Sequence, residues 1–451
     1  MVAVAIAIAR PAAAQDSLTL RDALQRATSH AFSNRVAAAR HDAADAGSLA
    51  ARRGLLPTVR VDAGFLRTTD PVGAFGTSLR QQRITAADFD PQRLNYPAAT
   101  NNFTGALIVE QPLLVLDGWM AARAGNRAAA AARHGETWTA VSTEVDVIAA
   151  YYGATLAASH ATTLAVATQA AHAHVQQADA MLEAGLVTKS DALLAATRAA
   201  ELDAARLDAS RDSVLAIRRL TVLLGGDPSR PVVPTSGFPT DSAIETAARQ
   251  ALALEPRNRG DVDGVRESAG VAAANLARTR AAFVPRVFGF ARQDLNSGAR
   301  PFAGASNWTV GIMASWTPFS GASEVADLRL AEARRAEAQA DRAGAAANAA
   351  VDLERTELTL GAALAKLDVT RTAAAQAAEA HRIVTRKYEG GLASVAEVLD
   401  AFASETQARL MVLNARYEIL AAVADRLRAL GLQPAGMADF DGTTHRGPEH
   451  P

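Results

Sequence analysis

The sequence predicts a mostly α-helical chain with a small β part, built as a duplicated unit in which a short strand pair feeds a very long helical hairpin. Two observations carry that expectation. A set of landmarks returns at a constant offset along the chain, and long proline-free runs rich in Ala, Leu, Glu, Arg and Gln fill most of each half. Self-similarity of this kind decides a fold before local propensity does, because each copy must form the same unit.

The duplication is read from Gly185-Leu186, which returns as Gly391-Leu392, an offset of 206 (391 − 185). Pro112 maps onto Pro318, Gly225 onto Gly431 and Pro228 onto Pro434 at that same offset. Upstream, Pro57 and Pro285 correspond at an offset of 228 (285 − 57), so the first half carries an insertion between about residues 67 and 102. That insertion is rich in Pro, Gly, Asp and Asn (Asp70-Pro71, Asp90-Pro91, Tyr96-Pro97), a composition that reads as loop. The expected organisation is a signal-peptide remnant at 1–14, a first repeat at 15–240, a second at 241–433 and a flexible tail at 434–451.

The leader is expected from the apolar run Val2 to Ala9 and the small residues Ala12 to Ala14 ahead of Gln15-Asp16, the pattern of an export signal. Strands are expected at 57–67, 103–112, 285–295 and 307–318. In Thr58 to Phe65 the odd positions are apolar, and in Trp308 to Trp316 the even positions are, the period of a half-buried strand. Each is about ten residues long, enough to cross a bilayer as a tilted strand.

The runs 118–184 and 322–390 contain no proline, so each forms a helix on the order of 100 Å long at 1.5 Å per residue. A helix of that length buries its apolar stripe only by lying alongside others as a coiled coil. Gly185 and Gly391 suit the left-handed residue that ends a helix. Thr188-x-x-Asp191 and Ser394-x-x-Glu397 supply a capping box to open each return helix. The hairpins are thus 118–224 with its tip at 185–191 and 322–430 with its tip at 391–397.

Composition removes several function classes. The chain has 451 residues and no cysteine, with 46 basic and 47 acidic residues interspersed. Thiol catalysis, thiolate zinc sites and disulfides are excluded, and no broad field exists to attract nucleic acid. His172 and His174 lie two apart, on different helix faces, and no phosphate loop, His-Glu-x-x-His helix or nucleophile elbow is present. No catalytic, cofactor-binding or metal residue is therefore assigned, and an enzyme is not expected. No internal segment approaches the roughly 20 apolar residues of a membrane helix. Any crossing must use strands.

Four strands cannot close a barrel, and an open edge is not tolerated in lipid. Four from each of three chains would give twelve, an even number within the range of outer-membrane barrels. Trp308 and Trp316, about one crossing apart, are the candidate membrane girdle.

These residues resemble the TolC-like outer-membrane efflux proteins over nearly the whole of 17–432. The resemblance rests on the duplicated order of elements, the strand starts at Pro57 and Pro285, the junctions Gln111-Pro112-Leu113 and Trp316-Thr317-Pro318-Phe319, and the paired Gly-Leu tips. It implies a homotrimer in the outer membrane, with a twelve-stranded β-barrel continued by a helical coiled-coil barrel through the periplasm. The partners implied are a periplasmic adaptor, an inner-membrane pump and outer-membrane lipid.

On that resemblance Gly185, Leu186, Thr188, Ser190 and Asp191, with Gly391, Leu392, Ser394 and Glu397, face the adaptor. Lys387-Tyr388 fits the family's basic-aromatic pair, and its counterpart Met181-Leu182 departs from it. Asp191, Glu397 and Asp400 are candidate pore-entrance acids, since rings of carboxylates select cations. The alternative reading is a periplasmic coiled-coil scaffold without a pore.

Overall fold

The computed structural model describes residues 16–436, so the expected leader and nearly all of the expected tail lie outside the described residues. The chain folds as two units, each assembled from separate stretches of sequence. The first comprises residues up to Arg40, Arg133–Asp263 and the chain from Gly344, and the second His41–Ala132 with Gly264–Ala343.

The second unit holds the sheet. Strands β2 (Thr58–Thr68), β3 (Thr100–Leu114), β5 (Arg286–Ser297) and β6 (Ala305–Ser315) form one antiparallel sheet in the order β2-β3-β5-β6. Register follows the alternation, with Val61 opposite Leu107 and Gln293 opposite Trp308. Pro112 lies inside β3, where the ladder with β5 shifts between Pro112 and Leu114; a residue without an amide proton is accommodated at such an irregularity.

The insertion is not the loop its composition suggested. It forms helix α3 (Pro71–Arg80), a 3-10 turn (Ala86–Phe89) and helix α4 (Pro91–Asn95). Both helices start on an Asp-Pro pair: Asp70 accepts from the amide of Gly73 and Asp90 from that of Gln92. Proline at the first helical position lacks only an amide that would have had no partner. Of the three pairs that read as loop markers, the two Asp-Pro pairs are therefore helix starts, while Tyr96-Pro97 follows the end of α4.

Among the described residues the regular structure of the first unit is helical apart from one short ladder. Strand β1 (Asp16–Leu18) pairs in parallel with β4 (Val232–Pro234). Helices α1 (Leu20–His30), α6 (Lys189–Leu223), α7 (Asp241–Ala253) and α10 (Val395–Ala429) belong to it. Helices α2 (Phe32–Ala51), α5 (Leu116–Glu183), α8 (Gly260–Ala281) and α9 (Ser323–Glu389) have residues in both units. At 68 and 67 residues, α5 and α9 are each about 100 Å of helix.

The core of the first unit is built on the fully buried Tyr151, Tyr152, Ile148, Leu220, Leu360, Leu367 and Ile419. Tyr151 satisfies its hydroxyl by donating to the Leu18 carbonyl and accepting from the Ser236 amide, which ties α5 to the β1-β4 ladder. Among the described residues no helix is long and apolar enough to cross a membrane.

Candidate functional site

Two regions carry the features the sequence singled out, and each is built from its own unit. The first is the sheet. Because paired residues share a face, register assigns every side chain to one of two surfaces. One surface carries Val59, Val61, Ala63 and Phe65 of β2, Phe103, Leu107 and Val109 of β3, Ala291 and Leu295 of β5, and Trp308, Val310 and Ile312 of β6. Apart from Arg67 near the end of β2, that surface bears no charge. The other carries Arg60 and Asp62, Thr104 and Glu110, Arg292 and Asp294, and Asn307 and Thr309. Arg60 pairs with Asp62 at 3.2 Å and Arg292 with Asp294 at 2.7 Å.

The apolar surface is uncovered. Trp308 is 75% exposed, Ile312 74% and Val59 65%. A contiguous apolar patch of this kind on water is a liability. Among the described residues the two edge strands, β2 and β6, also have no neighbour on their outer sides, and nearly every residue of β2 is exposed.

Trp316 falls just beyond β6 and is also exposed, its indole nitrogen donating to the Phe283 carbonyl at 3.2 Å. At the opposite end of the strands Trp308 has company that the sequence did not single out. Phe65 and Phe103 pair with ring centroids 4.8 Å apart, and the Phe302 ring lies against the bare backbone of Gly105 on the same face. The register of β2 with β3 brings the first pair together; Phe302 sits in a turn, where no periodicity could have revealed it.

The second region is the pair of hairpin tips. Helix α5 ends with Gly185 at φ +71° and α9 with Gly391 at φ +75°. In the first tip the Gly185 amide donates to the Leu182 carbonyl and Leu186 to Met181; in the second Gly391 donates to Tyr388 and Leu392 to Lys387. Both are Schellman ends, which satisfy carbonyls the helix would otherwise leave open. The return helices open on capping boxes: Asp191 accepts from the Thr188 amide at 2.9 Å, and Glu397 from the Ser394 amide at 2.7 Å. Ser190 shares a 2.6 Å contact with the Thr188 hydroxyl.

The candidate acids have partners within the tips. Hydrogen bonds from Thr188 hold the Asp191 carboxyl below the ordinary carboxylate range, and those from Ser394 do the same for Glu397. Asp400 lies 3.7 Å from Arg198.

Leu186 is 70% exposed and Leu392 81%. Beneath them Ala178, Ala192, Ala195, Tyr388, Val395, Val398 and Leu399 make one buried cluster drawn from both hairpins. The departure at Met181 proves complementary, since the Tyr388 hydroxyl donates to its sulfur at 2.9 Å. One basic-aromatic pair is thereby seated on the other tip. His172 meets Asp203 at 3.0 Å, while the His174 ring packs on Phe402. Among the described residues no group of His, Cys, Asp and Glu could hold a metal ion.

Comparison with known proteins agrees with this geometry. Residues 257–432 match the family model described as outer membrane efflux protein. No curated protein matches the chain in sequence. The fold is similar to that of the outer membrane protein VceC of Vibrio cholerae, with 20% identity and a TM-score of 0.75 over 91% of this chain and 96% of that one. The Campylobacter jejuni outer membrane channel CmeC gives 15% identity and a TM-score of 0.77 over 94% and 89%. The Neisseria gonorrhoeae outer membrane channel MtrE, solved in its open state, gives 18% and 0.72 over 92% and 89%. The expected fold class, mostly α with duplicated strand pairs and long hairpins, is the observed one.

Proposed function

We propose that this chain, which carries the outer membrane efflux protein domain over residues 257–432, is one subunit of a trimeric outer-membrane channel. In that assembly β6 of each copy pairs with β2 of the next, closing twelve strands into a barrel. The observation that carries the reading is the two-faced sheet with both edges open. Its apolar surface, charged only at Arg67 near the end of β2, suits lipid, its charged surface suits a water-filled lumen, and its edges cannot stay unpaired in a bilayer. The alternation of direction through β2, β3, β5 and β6 is antiparallel throughout, so β6 meets the next β2 antiparallel as well. A water-soluble scaffold has no use for such a surface, which disfavours the pore-less alternative.

Trp308 with Phe65, Phe103 and Phe302 would form the outer aromatic girdle and Trp316 the periplasmic one, where amphipathic rings settle at headgroup level. The long helices would continue the duct through the periplasm. The tips, Gly185, Leu186, Thr188, Ser190 and Asp191 with Gly391, Leu392, Ser394 and Glu397, would dock a periplasmic adaptor that couples the duct to an inner-membrane pump. Exposed leucines held on rigid Schellman turns support that role, because a fixed apolar side chain costs little ordering on binding. Asp400 is the acid freest to face the pore entrance, since Asp191 and Glu397 are engaged in capping.

Reconstitution into planar bilayers tests the reading. Purified protein should insert as a trimer and give discrete ion-conducting steps; protein that incorporates into vesicles without conductance would overturn the channel. Leu186→Asp with Leu392→Asp should leave those steps and the trimer intact yet abolish efflux in cells. Retained efflux would remove the tips from adaptor docking.

A further inference from the structure

We infer that the insertion between β2 and β3 is a luminal lid, which narrows the external mouth of the duct. The inference rests on the channel reading for the identity of the lumen, and on the fold for everything else. Helix α3 begins beside the last residue of β2, where the Asp70 amide donates to the Thr68 hydroxyl at 2.9 Å. Its last carbonyl, that of Arg80, accepts from the Asn307 side chain of β6 at 3.4 Å. The helix therefore runs from one edge strand to the other. Three strand spacings of about 4.8 Å come to about 14 Å, and ten residues of helix to about 15 Å, so α3 spans the width of the sheet with nothing to spare.

The face it covers is the charged one. Gln81 donates at 2.8 Å to the Asn101 carbonyl and at 2.9 Å to the side chain of Asn102, which donates in turn at 2.9 Å to Asn296. Asn102, Asn296 and Asn307 share the surface of Asp62, Arg292 and Asp294. Gln81 is 7% exposed, Asn102 2% and Asn296 4%. A chain of buried amides is tolerated only when each is satisfied by the next. This one is completed by Gln81, so it specifies a docked α3 and not a segment that waves in solvent. Thr77 and Ala74, one and two turns earlier on the same helix face, are buried with it.

Geometry turns a docked helix into an obstruction. Twelve strands about 4.8 Å apart and tilted by about 40° enclose a lumen of about 12 Å backbone radius. A helix with its side chains is about 10 Å across, so one laid on the inner wall reaches close to the axis. Three of them, one per subunit, tile the mouth. The lid lies at the hairpin end of the strands, opposite the end where β3 and β6 lead into the long helices, which on the channel reading is the cell exterior.

The absence of native cysteine makes the test clean. Thr309→Cys places one thiol on the charged face of β6, in an exposed position. In intact cells it is treated from outside with a small methanethiosulfonate and with a polymer-linked maleimide wider than the remaining gap. The expected result is that the small reagent modifies the thiol in the full chain, while the large one does so about tenfold faster or more once residues 70–97 are replaced by a short Gly-Ser turn, because a gap narrower than the reagent blocks it.

Gln81→Ala, which removes the amide that ties the end of α3 to the chain and leaves the backbone intact, should move the large reagent's rate in the same direction. Equal reactivity toward the large reagent in all three proteins would overturn the lid while leaving the channel standing. A thiol that no aqueous reagent reaches, but a lipid-soluble one does, would overturn the lid together with the barrel that defines its lumen.

Discussion

Two glycines share one backbone conformation but meet different surroundings, and the difference can be measured. Gly185 and Gly225 have φ +71° and +72°, and both end a helix in a Schellman turn. Alanine at either position pays the left-handed penalty of an L-residue, about 1–2 kcal/mol. At Gly185 nothing lies within 4 Å of the added methyl, so that penalty is the whole effect. At Gly225 the methyl would stand 2.1 Å from the His30 carbonyl oxygen and 2.7 Å from its carbon. Both are backbone atoms at the end of α1, and α1 must shift to make room. Overpacking of this kind adds about 1–3 kcal/mol. Gly225→Ala should therefore cost about 2–5 kcal/mol and Gly185→Ala about 1–2. Gly431→Ala, at 2.8 Å from the Asn258 carbonyl, should fall between them. Denaturant unfolding in detergent, followed by far-UV circular dichroism, gives the three midpoints. Equal losses for Gly185→Ala and Gly225→Ala would refute the packing assigned to the end of α1.

Other expectations follow from buried polar groups. Burial pushes the Glu144 carboxyl above its ordinary range, against a hydrogen bond from the Ala435 amide at 3.0 Å. A carboxyl whose folded pKa is raised favours folding below its unfolded value, about 4.3, and loses that contribution as pH rises through the folded pKa. Glu144→Gln should thus stabilise the protein at neutral pH and have little effect at pH about 4, measured as unfolding midpoints at the two pH values.

Arg259 is buried between Asp261 at 2.8 Å and Asp352 at 3.0 Å, over the ring of Trp138 at 5.0 Å. Removing it takes one close arginine from Asp352, which keeps Arg355 at 2.6 Å, so Arg259→Ala should cost about 1–3 kcal/mol, read as a lowered midpoint. Tyr388→Ala should cost about 3–5 kcal/mol by opening the cluster beneath the tips, and limited proteolysis should then cut first near residues 184–188 and 390–394. Tyr388→Phe, which loses only the bond to Met181, should cost about 1 kcal/mol or less.

Much of this architecture is legible in the sequence because its signals are long or paired. A proline-free run is visible whatever its partners, and Thr188-x-x-Asp191 with Ser394-x-x-Glu397 state the tip geometry locally. The helix ends were placed within two residues, at Glu183 and Glu389. The alternation in β2 and β6 named the apolar face before any register was known.

What escaped has physical reasons. Strands β1 and β4 are three residues each and pair across more than 200 positions, so neither has a local signature. Helices α1 and α7 lie outside the duplicated hairpins that organised the reading. The insertion reads as loop when Pro, Gly and Asp are taken as composition; taken in order, Asp-Pro is a cap followed by a first helical residue. Gln81 gave no sign of its role, since a buried amide chain exists only once Asn102 and Asn296 are brought together by β3 and β5.

The decisive measurement is whether β6 of one copy lies against β2 of another. Cysteine pairs placed at Val61 with Val310, and at Val61 with Ile312, sample neighbouring registers of that seam on a background free of native thiols. Strands in register bring paired α-carbons within the roughly 4.4–6.8 Å that a disulfide spans. Oxidation of membranes should convert one of the pairs to a covalent trimer of three 47.0 kDa chains on a non-reducing gel, with each single variant remaining uncrosslinked. Chains that stay monomeric across the registers sampled, in protein that is otherwise folded and membrane-bound, would contradict the shared barrel.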